Sequence, residues 1–190
     1  MLVTGFIITG LIAILVVYGI IIYNRLVSLK HNTSKAWSNI DVLLKQRHDE
    51  LPKLVETCKQ YMKFEQDTLE KVMRARAGVS QAREAGDINA LGPAETQLRQ
   101  GLTSLFALAE AYPELKANES FQHLESRITD LENTIADRRE FYNESVNNNN
   151  IRIEQFPDNL VAGRYKFEAF DLLEFTDEQI EDVEMKSLFA

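Results

Sequence analysis

The chain has 190 residues, a length that allows one domain and an appendage. Its formal net charge of −8 argues against nucleic-acid binding, which requires a basic surface. Only 8 glycines and 4 prolines are present, too few for the turns of an all-β protein. Long polar stretches with regularly spaced Leu and Ile therefore predict an all-α fold. A single cysteine, Cys58, excludes an internal disulfide.

The first 24 residues contain no charged side chain and predict a transmembrane helix. A helix from Leu2 to Tyr23 would measure about 33 Å, enough to cross a hydrocarbon core of about 30 Å. A cleaved signal peptide is the alternative, but the run has no basic start, is long for such a peptide and lacks a small-residue cleavage site. The lipid bilayer is therefore the first expected partner.

Positive charge follows the apolar run and does not precede it. Arg25, Lys30, Lys35 and Lys45 all lie within about 20 residues of its end. Because an excess of Lys and Arg marks the cytoplasmic side of a span, we predict the N-terminus outside and the C-terminal domain in the cytoplasm.

The segment "KQRHDELPKLVE" (45–56) interrupts the helical rhythm that follows the span. Upstream of it, the apolar spacing predicts a helix that continues from the membrane to about His48. The apolar seams on the two sides fall out of phase across Arg47–Leu51, and Pro52 is tolerated only in the first turn of a helix. A corner between two helices is the favoured interpretation, and a kinked continuous helix is the alternative.

Three further helices are predicted after this segment. The second has a heptad seam typical of coiled-coil packing and ends near Ala85; the seam comprises Leu51, Val55, Cys58, Met62, Glu65, Leu69, Val72, Arg76 and Val79. Gly86 can cap it, and Gly86–Pro93 is predicted to be a loop. The third helix begins at Pro93 and ends before Pro113. After the connector 113–117, Asn118 can cap a fourth helix that continues to Asn150.

These elements define the expected architecture. A transmembrane anchor at 1–24 is followed by an antiparallel up-and-down four-helix bundle at 25–165. An acidic tail at 166–190 completes the chain, with seven Asp or Glu and one Lys from residue 171 onward. Within that tail, Thr176–Gln179 resembles a capping box before a short helix bearing Ile180 and Val183, and Ser187–Ala190 is apolar. A solvated tail and a partner-binding peptide are both open interpretations.

No residue pattern indicates a catalytic, cofactor-binding or metal-binding site. His31, His48 and His123 lie on different predicted elements, and the Glu-x-x-His pairs of di-iron bundles are missing from the sequence. Cys58 falls on a seam position, which predicts a small buried hydrophobe rather than a nucleophile. An enzyme is therefore the least favoured functional class.

Four charged residues interrupt otherwise apolar rows: Glu65, Arg76, Glu95 and Arg138. The favoured interpretation is that they reach the bundle edge or pair with one another and so fix the helix register. A functional polar pocket is the alternative.

Several stretches of the sequence resemble the LemA family of bacterial membrane proteins. They are "YNRLVSLKHNTSKAWSNIDVLLKQRHDELPKLVETCKQYMKFEQDTLEKVMRAR" (23–76), "AYPELKANESFQHLESRITDLENTIADRREFYNESV" (111–146) and "FPDNLVAG" (156–163). The resemblance implies a four-helix bundle after an N-terminal span, a location in the bacterial inner membrane and no known catalytic residues. Some members are associated with shaping specialised bacterial membranes. Where the family usually repeats a Tyr-Asn pair, this chain has Asn149-Asn150, which predicts a looser end to the fourth helix.

The main functional hypothesis is a non-enzymatic, membrane-anchored scaffold or adaptor that forms a homo-oligomer. The alternative is a signalling or ligand-sensing bundle on the outer face of the membrane, which requires the opposite orientation. The sequence does not identify any protein partner.

Overall fold

A computed structural model describes residues 2–174 as helices joined by short turns and irregular segments. No strand occurs within this range, so the prediction of an all-α fold is confirmed. The helices, in chain order, are α1 (Leu2–Tyr61), α2 (Gln66–Ala85), α3 (Ile88–Ala109), α4 (Pro113–Lys116), α5 (Glu119–Glu154) and α6 (Asp158–Tyr165). The capping box at Thr176–Gln179 and the apolar end at Ser187–Ala190, both predicted above, lie outside the described residues.

The described residues form two compact units. Unit 1 contains the chain up to Asn39 together with Glu140–Asp171. Unit 2 contains Ile40–Arg139 and the segment that begins at Leu172. Because α1 and α5 are long, each of them contributes residues to both units.

The first helix is continuous through the segment where a corner was predicted. α1 extends from Leu2 to Tyr61 with Pro52 inside it, so the corner is wrong and the continuous helix is correct. The buried seam continues through Leu44, Arg47 and Leu51 at steps of three and four residues. A charged residue occupies one seam position, and a count of apolar residues therefore misplaces the phase of the helix.

The predicted second helix is divided by a turn. α1 ends at Tyr61 and α2 begins at Gln66, so Met62–Glu65 connects them. This turn contains neither Gly nor Pro, and the heptad spacing of the apolar residues continues across it. The end of α2 is as predicted, because Gly86 adopts a left-handed conformation with φ of 67°.

The third helix begins earlier than predicted. Asp87 caps α3, its side chain accepting a hydrogen bond of 2.9 Å from the amide of Ala90. Most of the predicted loop at Gly86–Pro93 is therefore helical, and Pro93 lies inside α3. This aspartate cap was overlooked because the glycines and the proline favoured a loop.

The last long helix begins as predicted and continues beyond the predicted end. Asn118 accepts a hydrogen bond of 3.0 Å from the amide of Phe121 at the start of α5. The helix extends to Glu154, four residues past Asn150. Asn150 donates to the carbonyl of Phe170 at 2.9 Å and accepts from its amide at 3.0 Å. Asn150 therefore binds the returning chain at the place where a looser helix end was predicted.

A close approach between backbones occurs in unit 2, where the chain returns to α3. Leu173 is buried, with 1% of its surface exposed. A Cβ atom added to Gly92 would lie 1.8 Å from the carbonyl oxygen of Glu174. Only glycine fits at this position while residues 172–174 keep their place.

We predict opposite effects for two glycine-to-alanine substitutions. Gly92→Ala should displace residues 172–174 and lose the burial of Leu173, which costs roughly 1.5–3 kcal/mol of stability. Gly78→Ala is the matched control in α2, because an added Cβ would meet only Ala94 at 4.0 Å. It should stabilise the protein by about 0.5–1 kcal/mol. Denaturant titration in detergent checks both values, and equal effects would contradict the close approach at Gly92.

Candidate functional site

A buried arginine is the centre of the candidate site in unit 2. Arg47 lies on α1 with only 1% of its surface exposed. Its two terminal nitrogens donate to Glu95 of α3 and to Glu132 of α5. Three helices that are distant in sequence are therefore joined through one guanidinium group.

A fourth charged residue extends this ion-pair network toward the surface. Arg99 lies one turn after Glu95 on α3, and its Nε donates to Glu132 at 3.3 Å. Arg99 is 33% exposed, whereas Glu95 is 4% exposed. The two arginines and the two glutamates balance in charge when all four are ionised. A buried charge with a hydrogen-bonded partner avoids most of the cost of leaving water.

Burial and ion pairing act in opposite directions on these residues. Burial alone would lower the pKa of Arg47, but Glu95 and Glu132 outweigh it, and the pKa of Arg47 is raised. Arg47 is therefore positively charged. Burial raises the pKa of Glu95, and the positive charge of Arg47 opposes that rise. Without Arg47, nothing of comparable strength would hold the Glu95 carboxylate in its charged form.

The proline inside α1 lies next to a second polar contact. Pro52 has no amide hydrogen, so the carbonyl of His48, four residues earlier, lacks its helical partner. Arg76 of α2 supplies a replacement, because its Nε donates to that carbonyl at 2.9 Å. A second nitrogen of the same guanidinium lies 2.6 Å from the His48 ring nitrogen Nε2. Arg76 thus compensates for the hydrogen bond that the proline removes.

The environment of His48 disfavours its charged form. Partial burial lowers the pKa of His48, and the neighbouring positive charge of Arg76 lowers it further. Arg83 acts in the same direction, while Asp49 and Glu84 oppose it. The neutral ring can accept a hydrogen bond from Arg76, which an imidazolium cannot do.

The four charged residues that interrupt the apolar rows of the sequence have different surroundings in the structure. Glu95 lies in the ion-pair network, and Arg76 contacts His48. Glu65 accepts a hydrogen bond of 3.3 Å from Tyr112, and Arg138 is exposed on α5. The expectation that these residues pair with one another is therefore wrong for Glu95, which pairs with Arg47, and for Arg76, which contacts His48.

Sequence reasoning missed two principal members of the network, Arg47 and Glu132. Arg47 lies three residues after Leu44 and four before Leu51, which are both buried, and this spacing is the signal that could have identified it. Cys58 is fully buried, as predicted, and burial together with Glu125 raises its pKa to about 12. A thiol with that pKa is a poor nucleophile at neutral pH.

The arrangement joins α1, α3 and α5 through buried ion pairs, and its charged groups bind one another. Among residues 2–174, no group of three or more His, Cys, Asp or Glu side chains is placed to hold a metal ion. A surface groove of about 770 Å³ lies near the α1–α2 turn and is lined in part by Val55, Met62, Leu69 and Met73.

The start of α1 has the properties of a membrane span. The large apolar side chains from Val3 to Tyr23 are mostly exposed, Phe6 at 77% and Ile14 at 70%. By length and composition, α1 is the one helix in the described chain that could cross a membrane, and the apolar window within it has a mean hydropathy of 2.7. Only 6% of that window is buried, so it is not a core helix of this fold.

Comparison with known proteins identifies the family. The profile of the LemA family matches residues 36–186, which is most of the chain. The chain belongs to the LemA family. The resemblance found in the sequence is thereby confirmed, and a LemA-family chain with one candidate N-terminal span is a membrane-associated helical protein.

The chain is also similar to proteins that are named magnetosome proteins. Magnetosome protein MamQ 2 and magnetosome protein MamQ 1 of Paramagnetospirillum magneticum are each 25% identical to it over 166 residues, which covers 74% of this chain. Magnetosome protein MamQ of Magnetospirillum gryphiswaldense is 24% identical over 161 residues, covering 71%. The matched region spans 58–60% of the length of these relatives. Neither the family's description nor the relatives' names refer to a reaction.

We predict that removal of Arg47 destabilises this LemA-family protein strongly. Arg47→Met leaves Glu95 buried beside an apolar side chain, and breaking a buried ion pair on one side costs about 3–5 kcal/mol. Adding Glu95→Gln should restore more than half of the lost stability, because it removes the unpaired buried charge. Glu132, the other partner of Arg47, keeps Arg99 as its partner. Denaturant titration in detergent, followed by circular dichroism, measures both variants.

The matched control for Arg47 is the more exposed pair formed by Arg83 and Asp41. Their charged atoms are 3.5 Å apart, and Asp41 is 43% exposed. Arg83→Met should cost no more than about 1 kcal/mol. A loss at Arg47 as small as that at Arg83, or no recovery in the double variant, would show that the buried network does not stabilise the fold.

We also predict that stability decreases as the pH falls below about 6.5, the ordinary pKa of histidine. Because folding lowers the pKa of His48, the unfolded chain binds the proton more readily than the folded chain. The stability that neutral His48 contributes is therefore lost as the pH falls from about 6.5 to the lower pKa of the folded state. His48→Gln should reduce this pH dependence, whereas His123→Gln, at an exposed position, should leave it unchanged. An NMR titration midpoint for His48 above 6.5 would contradict the assignment.

Proposed function

We propose that this LemA-family protein is a non-enzymatic scaffold, anchored in the bacterial inner membrane by α1, with its helical domain in the cytoplasm. The observation that carries the proposal is the continuity of α1. One helix contains both the exposed apolar run and the seam position of Arg47. The anchor and the helix that carries Arg47 are therefore one secondary-structure element, without a linker between them.

An antiparallel bundle is the arrangement that we propose for the long helices. In unit 1, the hydroxyl of Thr33 on α1 donates to the carbonyl of Ser145 on α5 at 3.2 Å. Further along α1, the ring of Trp37 lies 5.7 Å from that of Tyr142. Residue numbers thus rise on α1 while they fall on α5, as in two antiparallel neighbours. This order supports the up-and-down topology of a four-helix bundle.

The orientation is supported by the charges that follow the span. Arg25 and Lys30 are exposed on α1 directly after the uncharged run. Positive residues next to a span are retained in the cytoplasm. The related MamQ proteins are named as magnetosome proteins. By analogy, we extend the scaffold role to the organisation of a bacterial membrane.

Self-association with a second copy of the chain is part of the proposal. Phe64, in the turn between α1 and α2, is 94% exposed. It directly follows Met62-Lys63 in the sequence, and both of these residues line the groove described above. The groove is also lined by Lys59, Gln66 and Glu70, and its two methionines can adapt to a partner. Copies held in one membrane are concentrated in two dimensions, so another copy is the partner most often available.

We predict that the protein forms oligomers in nanodiscs and that Phe64→Ser lowers the oligomer fraction. Native mass spectrometry over a range of protein-to-lipid ratios measures the number of copies. Phe141→Ser is the matched control, because Phe141 is another exposed phenylalanine, at 51%. A strict monomer at every ratio would refute self-association, and equal effects of the two variants would refute the role of Phe64.

The orientation is tested separately by labelling. Cys58 is buried and its pKa is raised to about 12, so the native chain reacts little with a maleimide. A cysteine placed by Ser104→Cys, at an exposed position of α3, provides the reactive thiol. An impermeant maleimide should label it only after the cells are lysed. Labelling in intact cells would reverse the topology and favour a sensing bundle on the outer face.

A further inference from the structure

The short helix α6 packs beside the end of the apolar run of α1. Ile22 and Leu26 of α1 form a buried cluster with Ala162 of α6, and Val161 and Ile153 pack against it. The ring of Tyr23 lies 4.8 Å from that of Tyr165 and 5.9 Å from that of Phe167. All these residues belong to unit 1. α6 is therefore held at the level where α1 passes from uncharged to charged sequence.

Three large apolar side chains in or next to α6 are exposed, although α6 itself is short and polar in part. Phe156 is 80% exposed, Leu160 is 64% exposed and Tyr165 is 60% exposed. Isolated exposed apolar residues need no explanation, but these three occur within ten residues of one another and next to a span. Tyr side chains such as Tyr165 concentrate at the level of lipid headgroups, where the ring is apolar and the hydroxyl is hydrated. Phe and Leu occur on the apolar face of helices that lie in this interface.

Exposed cations lie close in sequence to these apolar residues. Arg164 and Lys166 are exposed at the end of α6, and Arg25 is exposed on α1 between the two residues that pack on α6. Exposed acids in the neighbouring chain are Glu154, Glu168 and Asp171, while Asp158 is buried and paired with Arg152. Exposed cations and acids are thus equal in number, but Arg164 and Lys166 directly flank the exposed Tyr165 in the sequence, and cations placed beside a span favour an anionic surface.

We propose that Phe156, Leu160 and Tyr165 insert into the headgroup–acyl boundary of the bilayer, and that Arg164 and Lys166 bind anionic headgroups. α6 is then an interfacial helix that fixes the helical domain against the membrane surface. The inference rests on the membrane anchoring that is part of the proposed function. It adds a second membrane contact, distinct from the span, and a preference for anionic lipid.

Site-directed spin labelling of the full chain in nanodiscs tests the proposal. In a Cys58→Ala background, Phe156→Cys and Leu160→Cys carry the probes at the proposed contact. Phe141→Cys is the water-facing control, since Phe141 precedes Ile153 by twelve residues of α5, about 18 Å along the helix. Ile12→Cys is the lipid-facing control within the span. The measured quantity is the accessibility of each label to oxygen relative to a water-soluble nickel complex.

The proposal expects this accessibility ratio at Phe156 and Leu160 to exceed that at Phe141 several-fold and to approach that at Ile12. A ratio equal to that at Phe141, while Ile12 remains lipid-like, would overturn the proposal and leave the anchor intact. A water-like ratio at Ile12 would overturn the anchor and this inference together. Spectral broadening at Leu160 that disappears on dilution of the protein would assign the surface to a second copy instead.

The preference for anionic lipid is tested with the same labels. Nanodiscs of phosphatidylcholine alone are compared with nanodiscs that also contain phosphatidylglycerol. The ratio at Leu160 should rise with the anionic lipid, and the combined Arg164→Gln and Lys166→Gln substitutions should abolish that rise. If Arg164 and Lys166 are both present and the accessibility ratio at Leu160 is equal in the two kinds of nanodisc, the assignment of these cations to headgroups is overturned.

Discussion

Burial of the Arg47 guanidinium is the constraint on which the packing of unit 2 depends. A charge with 1% exposure is tolerated only where hydrogen-bonded counter-charges surround it. Glu95 and Glu132 provide them from α3 and α5, so the register of both helices against α1 is restricted to positions that keep these contacts. Apolar seams alone permit sliding by a turn, because one leucine can replace another. A buried ion pair does not permit such sliding. It therefore adds specificity to the packing that hydrophobic burial drives.

The continuity of α1 depends on a second polar compensation, at His48, the residue that follows Arg47. Pro52 removes one backbone hydrogen bond, and a proline inside a helix ordinarily kinks or ends it. Here Arg76 of α2 donates to the carbonyl of His48 that the proline leaves without its helical partner. The two arginines act on neighbouring residues of α1, Arg47 through its own charge and Arg76 through the backbone. Together they explain why the segment 45–56, with six charged residues and a proline, remains helical.

Much of the fold follows from the sequence, and the exceptions have physical reasons. The uncharged run, the all-α class, the glycine cap at Gly86 and the asparagine cap at Asn118 were predictable, because each depends on local chemistry. The corner at Pro52 was wrong because the buried residue that keeps the seam in phase is charged. The turn at Met62–Glu65 has no breaking residue, and only tertiary packing places it. The partners of Arg47 lie 48 and 85 residues away, a distance that no local pattern reveals.

Residue-resolved hydrogen exchange across α1 tests the central claim most directly. If Arg47 and Arg76 keep the helix continuous, the backbone amides from Leu44 to Cys58 should exchange slowly, with Pro52 contributing no amide. The amides that flank the proline should be protected to nearly the same degree as those of Leu44 and Cys58. A rapidly exchanging stretch from Asp49 to Leu54 between two protected segments would contradict the account, since it would indicate two helices that meet at a corner.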